Sequence, residues 1–98
     1  MFARLTKFRI KTEKIETGVQ LYKESVVPSA KAQKGFIRIS LLVNRDTGDG
    51  TSITYWESEE DAKANEENRY YQHQLIKFLN FLDKPTYIRE GYEVLIDD

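Results

Sequence analysis

GFIRISLLVNRDTGDGTSITYWES, residues 35–58, carries the clearest pattern of secondary structure in the sequence. Its first half alternates aliphatic residues with other residues, as a strand does, at Ile37, Ile39, Leu41 and Val43. A second run of strand-forming residues follows the polar segment NRDTGDG, which holds the Gly and Asp residues that tight reversals need. We therefore predict two antiparallel strands joined as a hairpin.

The chain before this hairpin reads as a strand followed by a helix. In MFARLTKFRI the alternation gives one face that carries Phe2, Arg4, Thr6, Phe8 and Ile10. Helical spacing then follows at Ile15, Val19, Tyr22 and Val26. We expect Thr12 to cap this helix, Pro28 to kink or restart it, and Gly35 to follow its end near Lys34.

The chain after the hairpin reads as two helical segments and a closing strand. Ser58 and Asp61 resemble a capping box that starts a short polar helix, and Asn68 is a candidate cap for the next one. The longer helix has an apolar face, widened by Ile76 and Leu79, whose main stripe is Tyr71, Leu75, Phe78 and Leu82. After Gly91, the predicted last strand alternates through Tyr92, Val94 and Ile96.

The resulting order is β-α-β-β-α-β, an α+β, ferredoxin-like arrangement with a split second helix, in one domain over residues 1–98. Both faces of the predicted sheet carry apolar side chains, because Phe36 and Leu42 alternate away from the aliphatic row of their strand. Helices can cover only one of these faces. We therefore expect a homodimer in which two sheets pack face to face, as a dimeric α/β barrel.

Composition excludes several classes of function. The 98 residues include 15 basic and 16 acidic residues, for a net charge of −1, so the sequence predicts no nucleic-acid partner. The absence of cysteine and the single histidine argue against a zinc centre or any other metal centre. The charged, alternating N-terminal stretch differs from a signal peptide, and no apolar run is as long as a membrane span. We expect a cytoplasmic protein with no membrane partner.

SITYWESEEDAKANEE, residues 52–67, resembles the antibiotic biosynthesis monooxygenase family of small dimeric α/β-barrel proteins. In that family a strand ends in a Trp, here Trp56, before a polar helix. The order of the elements, KGFI at the start of the second strand and GYEV in the last strand extend the resemblance over nearly the whole chain. The family includes cofactor-free oxygenases of phenolic polyketides, quinol oxygenases and haem-degrading enzymes.

The resemblance implies a cofactor-independent monooxygenase that oxidises a small aromatic or quinol with O2. In that chemistry a deprotonated substrate passes an electron directly to O2, so no metal or flavin is needed and the expected cofactor is none. The alternative is a non-catalytic dimeric module that binds a small hydrophobic ligand. Asn65 motivates the alternative, because it stands nine positions after Trp56, where many relatives carry His or Trp, and an amide is a poor proton acceptor.

Haem degradation is disfavoured by the same resemblance. The haem-degrading branch uses an Asn on the first strand, a Trp on the short helix and an iron-ligating His on the long helix. The matching positions here are Thr6, Asn65 and Leu75. His73 lies two residues before the ligand position, which rotates it by about 200° around a helix.

The other candidate ligand-binding residues each have a structural and a functional interpretation. Trp56 is either an anchor of the core or a wall of an aromatic pocket, and Tyr22 either packs in the core or lines a pocket through its hydroxyl. His73 is either a solvated surface residue or a general base. Arg38 alternates away from the aliphatic row of its strand, so it either forms a salt bridge across the dimer or binds an anion. None of these residues is assigned a catalytic role from the sequence.

Overall fold

The computed structural model has the element order that the sequence predicts. It describes residues 1–67, 69–84 and 87–98, without the side chains of residues 65, 66, 70 and 71. The strands are β1 (Phe2–Arg9), β2 (Phe36–Val43), β3 (Asp49–Trp56) and β4 (Ile88–Glu93). The helices are α1 (Ile15–Leu21), α2 (Val27–Lys31), α3 (Glu59–Glu67) and α4 (Tyr70–Phe78). A π-helical turn, Tyr22–Val26, joins α1 to α2, and short 3₁₀ segments span Thr12–Lys14 and Leu79–Phe81.

The four strands form one antiparallel sheet in the order β2-β3-β1-β4. This is the predicted ferredoxin-like α+β fold. The sheet of a single chain is open and does not close into a barrel, so the barrel of the prediction would need strands from a second chain.

The register of β1 and β3 defines the two faces of the sheet. Arg4 lies opposite Thr54 and Thr6 opposite Ser52, and these four side chains line a cavity under the helices. We call this side the inner face. The alternate residues, among them Leu5, Lys7, Ile53 and Tyr55, belong to the outer face because successive side chains of a strand point to opposite sides.

A β-bulge in β2 corrects the predicted faces of that strand. Phe36 lies opposite Trp56, but Arg38 lies opposite Tyr55, so Ile37 is an extra residue in the ladder. The extra residue reverses the alternation. Phe36 is therefore on the inner face, with its ring centroid 6.0 Å from that of Trp56, whereas the prediction put it on the same face as Leu42.

The first helical stretch departs from its prediction at both ends. The 3₁₀ segment Thr12–Lys14 has no side-chain cap, and helix α2 ends at Lys31 rather than near Lys34. Pro28 follows the π-helical turn, because a proline cannot donate the usual bond to the carbonyl four residues earlier. Gly35 has a φ of 79° in the turn before β2, as predicted.

The second helical stretch is split, as predicted. The Ser58 hydroxyl caps α3 by accepting a hydrogen bond from the Asp61 amide at 3.1 Å, and Arg69, with a φ of 64°, separates α3 from α4. The predicted cap Asn68 lies outside the described residues. Ile76 is 63% exposed, so it does not widen the buried face of α4 as predicted.

The last strand is shorter than predicted. It ends at Glu93, which lies opposite Phe2, the first residue of β1. Val94 keeps one backbone bond to Met1, and the predicted strand residue Ile96 lies beyond the ladder and is 87% exposed. The ladder between β1 and β4 thus ends at the pair Phe2–Glu93.

Candidate functional site

A cavity of about 100 Å³ lies between the inner face of the sheet and the helices. Most of its walls are aliphatic or aromatic, including Ile15, Val26, Ile39, Leu41, Leu75 and Phe78. An engineered apolar cavity of ~150 Å³ in another protein binds benzene, so the volume here is of the order of one aromatic ring.

Tyr22 brings the first polar group into this apolar space. It lies at the start of the π-helical turn, is 8% exposed, and its ring packs edge-on against Phe78 with 6.1 Å between centroids. Its hydroxyl lies 2.6 Å from the Ser52 hydroxyl, close enough for a hydrogen bond in which either group donates. Both residues line the cavity, so the pair can offer a hydroxyl donor to a bound oxygen atom.

Two arginines line the cavity on the side of β1 and β4. Arg89 Nη1 donates a hydrogen bond of 2.8 Å to Thr6 Oγ1, and the Arg4 guanidinium carbon lies 5.6 Å from the centre of the Phe2 ring. Both side chains are partly buried. A guanidinium only donates hydrogen bonds and stays positively charged, so these residues favour a bound anion.

The charges of the cavity are one-sided within the part of the chain that the structure describes. None of its described lining residues is Asp, Glu or His. The polar groups that remain are the two arginines, the hydroxyls of Thr6, Tyr22, Ser52 and Thr54, the amide of Gln74, and Tyr87. Such a set can hold and orient an oxyanion, but it contains no good acceptor for a substrate proton.

Gln74 connects the cavity to the junction between α4 and the first helical stretch. Its side-chain oxygen accepts a hydrogen bond from Ser25 at 2.9 Å, and its nitrogen donates one to Ser29 at 3.1 Å. Lys77 also donates to Ser25, at 2.6 Å. These bonds hold α4 over the cavity.

Trp56 is fully buried and is not among the described lining residues. It packs edge-on against Phe36, and its indole N–H donates a 2.9 Å hydrogen bond to Thr54 Oγ1. Thr54 itself lines the cavity. Trp56 therefore supports Thr54 in the cavity wall. Within the part of the chain that the structure describes, no direct contact between Trp56 and the cavity supports a role in ligand binding.

Arg38 lies on the outer face, away from the cavity. Its guanidinium carbon is 4.0 Å from the centre of the Tyr55 ring, and its Nη2 forms an ion pair of 2.8 Å with Asp97. The partner is thus a carboxylate of the same chain. The chain after β4 consequently extends towards β2, at the opposite edge of the sheet.

The sequence proposed two further candidates on the second helical stretch, His73 and Asn65. His73 is exposed on α4 and does not line the cavity. The side chain of Asn65, in α3, lies outside the described residues. Two positions that the resemblance aligned with haem-site residues, Thr6 and Leu75, do line the cavity, although neither side chain is suited to bind iron.

Five cavity residues were not predicted as site residues from the sequence: Arg4, Ser52, Thr54, Gln74 and Arg89. A signal was present for Arg4, because it shares the predicted alternation of Phe2, Phe8 and Ile10 on one face of the first strand. Ser52 and Thr54 likewise share the alternation of Trp56. Arg89 carried no comparable signal, since its face depends on the register between β4 and β1.

The outer face carries apolar side chains and ion pairs. Leu42, Ile88 and Tyr92 are 53%, 62% and 49% exposed. The Lys7 ammonium lies 2.9 Å from the Glu90 carboxylate, to which the Tyr92 hydroxyl also donates a hydrogen bond. These two bonds, that of Lys7 first, hold the pKa of Glu90 below its ordinary value.

Among residues 1–67, 69–84 and 87–98, no helix is long and apolar enough to cross a membrane. Over the same ranges, no three His, Asp or Glu side chains are grouped so that they could hold a metal ion.

Comparison with known proteins finds a family and two relatives that match the sequence. A family model described as antibiotic biosynthesis monooxygenase matches residues 1–74. Two uncharacterized proteins of Mycobacterium tuberculosis, from strains CDC 1551 and H37Rv, are each 33% identical over 67 residues, which is 68% of this chain and 30% of their own. The chain thus spans about 30% of the length of these curated relatives.

Solved structures match the fold over nearly the whole chain. A provisionally assigned antibiotic biosynthesis monooxygenase from Nitrosomonas europaea has a TM-score of 0.78 at 16% identity, covering 98% of this chain and 100% of that one. A mutant of SnoaB, a cofactor-independent oxygenase from Streptomyces nogalater, has a TM-score of 0.75 at 13% identity, covering 98% of this chain and 94% of that one. The heme-degrader MhuD of M. tuberculosis, with two hemes bound in its active site, has a TM-score of 0.77 at 12% identity, covering 100% of this chain and 99% of that one. At these identities the likeness establishes the fold and leaves the reaction open.

Proposed function

Because the chain belongs to the antibiotic biosynthesis monooxygenase family, we propose that it is a cofactor-independent monooxygenase that oxidises a small phenol or quinol with O2. The observation that carries the proposal is an apolar cavity whose polar groups are suited to hold an oxyanion. The walls would exclude water from the ring, and Arg4, Arg89 and the Tyr22–Ser52 pair would stabilise the ionised oxygen.

The substrate supplies the electrons in this reaction. A phenolate gives one electron to O2, and the phenoxyl and superoxide radicals then combine at a ring carbon. With one proton the adduct becomes a hydroperoxide, which loses water and leaves a quinone. Phenol and O2 thus yield benzoquinone and water, so that one oxygen atom enters the ring and the other is reduced to water.

The proton of the substrate would leave before the reaction with O2. Since the described lining residues include no carboxylate and no imidazole, we assign this step to ionisation in water, favoured by the guanidinium charges. Turnover should therefore rise with pH through the pKa of the substrate's own hydroxyl. Asn65, Trp56 and His73 stay predicted ligand-binding residues, and Asn65→Ala and His73→Ala test the two that are polar.

The direct test is oxygen uptake by the purified chain with a panel of phenols and quinols, without added metal or flavin. We expect one O2 consumed per quinone, with one labelled atom in the product from ¹⁸O₂. Tyr22→Phe should lower kcat/KM by about tenfold or more, because it removes one hydrogen-bond donor to the developing anion. Tyr55→Phe, which alters a ring on the outer face, is the matched control. Equal losses in both variants, or no uptake across the panel, would count against the proposal.

A second function is favoured by the lack of a proton acceptor among the described lining residues. The chain would then be a dimeric module that holds a small hydrophobic ligand without transforming it. Saturable binding of a phenol, measured by calorimetry, without any oxygen uptake would favour this alternative over the monooxygenase.

We also propose that residues 1–98 act as one domain and pair as a homodimer through the outer face of the sheet. The support is the exposed apolar side chains at both edges of this face, Leu42 on β2 and Ile88 and Tyr92 on β4, on a side of the sheet that none of the described helices covers. The symmetric contact would be self-complementary. A cytoplasmic location stays a prediction from the sequence.

A further inference from the structure

Phe78 forms part of the cavity wall on the side of α4, and two other aromatic rings pack against it. Its ring centroid is 6.1 Å from that of Tyr22 and 6.1 Å from that of Phe81, and both pairs are edge-to-face. Tyr22 also lines the cavity, whereas Phe81, in the 3₁₀ segment after α4, is not among the described lining residues. Edge-to-face pairs stabilise a core beyond the area that they bury. The two neighbouring rings therefore hold the Phe78 ring in place.

The segment that carries Phe81 is tied to the end of the sheet by its backbone. The Lys11 amide donates a hydrogen bond of 2.8 Å to the Phe81 carbonyl, and the Asp83 amide donates one of 2.8 Å to the carbonyl of Arg9, the last residue of β1. Displacing Phe81 would strain or break these bonds. The ring that supports Phe78 is thus fixed to the sheet.

Gly18, in α1, borders the same region of the cavity wall. A Cβ atom at this residue would lie 2.6 Å from Ile10 Cδ1 and 3.9 Å from Phe81 Cδ2. The first distance is well below the separation at which two carbon atoms attract each other, and the second is an ordinary contact. The space beside Phe81 is therefore already filled, and it offers Phe78 no room to move away from the cavity.

The volume of the cavity limits the size of a ligand. It is about 100 Å³. An engineered cavity of ~150 Å³ in another protein binds benzene, a single ring. A second fused ring would need additional space, and on the side of α4 it could gain that space only by displacing Phe78 from its two aromatic contacts.

We propose that Phe78 determines the size of the ligand at this site, so that the cavity accepts one aromatic ring and discriminates against two fused rings. The proposal names the substrate class of the proposed oxygenase as single-ring phenols. It rests on the proposed function only for the reaction that follows binding.

The test compares phenol with 1-naphthol, which adds one fused ring and keeps the hydroxyl group. Ligand-observed NMR titration of the wild-type chain should give at least about threefold tighter binding of phenol, because a second ring overpacks the cavity. Phe78→Ala should shift the ratio of the two affinities towards 1-naphthol by at least about tenfold, because the space left by the ring closes only partly and can bury the second ring. Phe78→Leu should shift the ratio in the same direction by a smaller factor.

Ile76→Ala is the matched control, since Ile76 lies on the same helix, is exposed and does not line the cavity. It should keep the wild-type ratio. Equal or tighter binding of 1-naphthol by the wild-type chain, or binding of neither ligand, overturns the proposal. A ratio that is unchanged in both Phe78 variants, or that shifts equally in Ile76→Ala, also overturns it. If Phe78→Ala does not fold, Phe78→Leu and the wild-type comparison still decide.

The same ligands separate this proposal from the proposed function. Preference for phenol without oxygen uptake supports the size determinant and removes the monooxygenase proposal. Oxidation of phenol and 1-naphthol with equal kcat/KM does the reverse.

Discussion

Tyr22 and Trp56 are both large, buried aromatic residues, and their contacts separate their roles. The Tyr22 hydroxyl and ring line the cavity and pair with Ser52 and Phe78. Trp56 is not among the described lining residues, and its indole N–H donates to Thr54, which does line the cavity. A bound ligand should therefore contact Tyr22 directly, whereas Trp56 should affect the ligand through the position of Thr54.

Conservative variants should separate these roles. We expect Trp56→Phe to lower the free energy of unfolding by about 2 kcal/mol, because it loses a buried hydrogen bond and leaves part of its volume empty. Its ligand affinity should change by less than about threefold. Tyr22→Phe should show the opposite pattern, with about 1 kcal/mol lost in stability and the larger loss in affinity. Urea unfolding and calorimetry measure both quantities, and a large affinity loss in a stable Trp56→Phe variant would refute the anchor role.

Helix α4 covers the cavity mainly through side chains. Phe78 packs against Tyr22, and Gln74 joins the helix to Ser25 and Ser29. The helix begins after Arg69, whose φ of 64° is unusual for a residue with a side chain. These features make α4 an element that a few polar bonds hold in position.

Removing the Gln74 amide should loosen α4 without loosening the sheet. In Gln74→Ala, amide hydrogen exchange in residues 73–78 should accelerate by about fivefold or more, because bonds worth ~1 kcal/mol each are lost. Amides of β1 and β3 should keep their rates. Gln72→Ala, at an exposed position of the same helix, is the control. Unchanged amide exchange rates in α4 of the Gln74→Ala variant would mean that packing of Phe78, without the Gln74 bonds, is enough to hold α4.

The outer face determines how whole molecules associate. It combines exposed apolar residues with the ion pairs Lys7–Glu90 and Arg38–Asp97. Exposed apolar area of this kind is typical of a surface that another protein covers. In the proposed dimer, these ion pairs would be satisfied within each chain, so their burial would leave no charge unpaired.

A charge introduced on the outer face should dissociate the proposed dimer. We expect Leu42→Asp to weaken the dimer by at least about tenfold in Kd, because the new carboxylate would be buried without a partner. Ile76→Asp is the matched control, since Ile76 is 63% exposed, comparable to Leu42 at 53%, but lies on α4. Sedimentation equilibrium measures both variants. A monomeric wild-type chain, or equal dissociation of both variants, would disprove association through the sheet.

The order of the strands and helices follows from local sequence patterns, because periodicity, turn residues and caps are local properties. The hairpin at residues 44–48, Gly35 in its left-handed conformation and the Ser58 cap all follow from residues within a few positions of one another. Local signals also assigned the faces of β1 correctly. The family resemblance rested on the same short stretches, and it was confirmed.

The residues that meet at the cavity could not be predicted in this way, because their meeting depends on strand register and on packing between distant segments. The bulge at Ile37 reversed the face of Phe36, and the register of β4 brought Arg89 beside Arg4. Neither the bulge nor the register can be predicted from the alternation within a single strand, because both depend on hydrogen bonding between strands. Tyr22 was a candidate from its helical spacing, whereas its partner Ser52 became known only when helix and sheet were packed together.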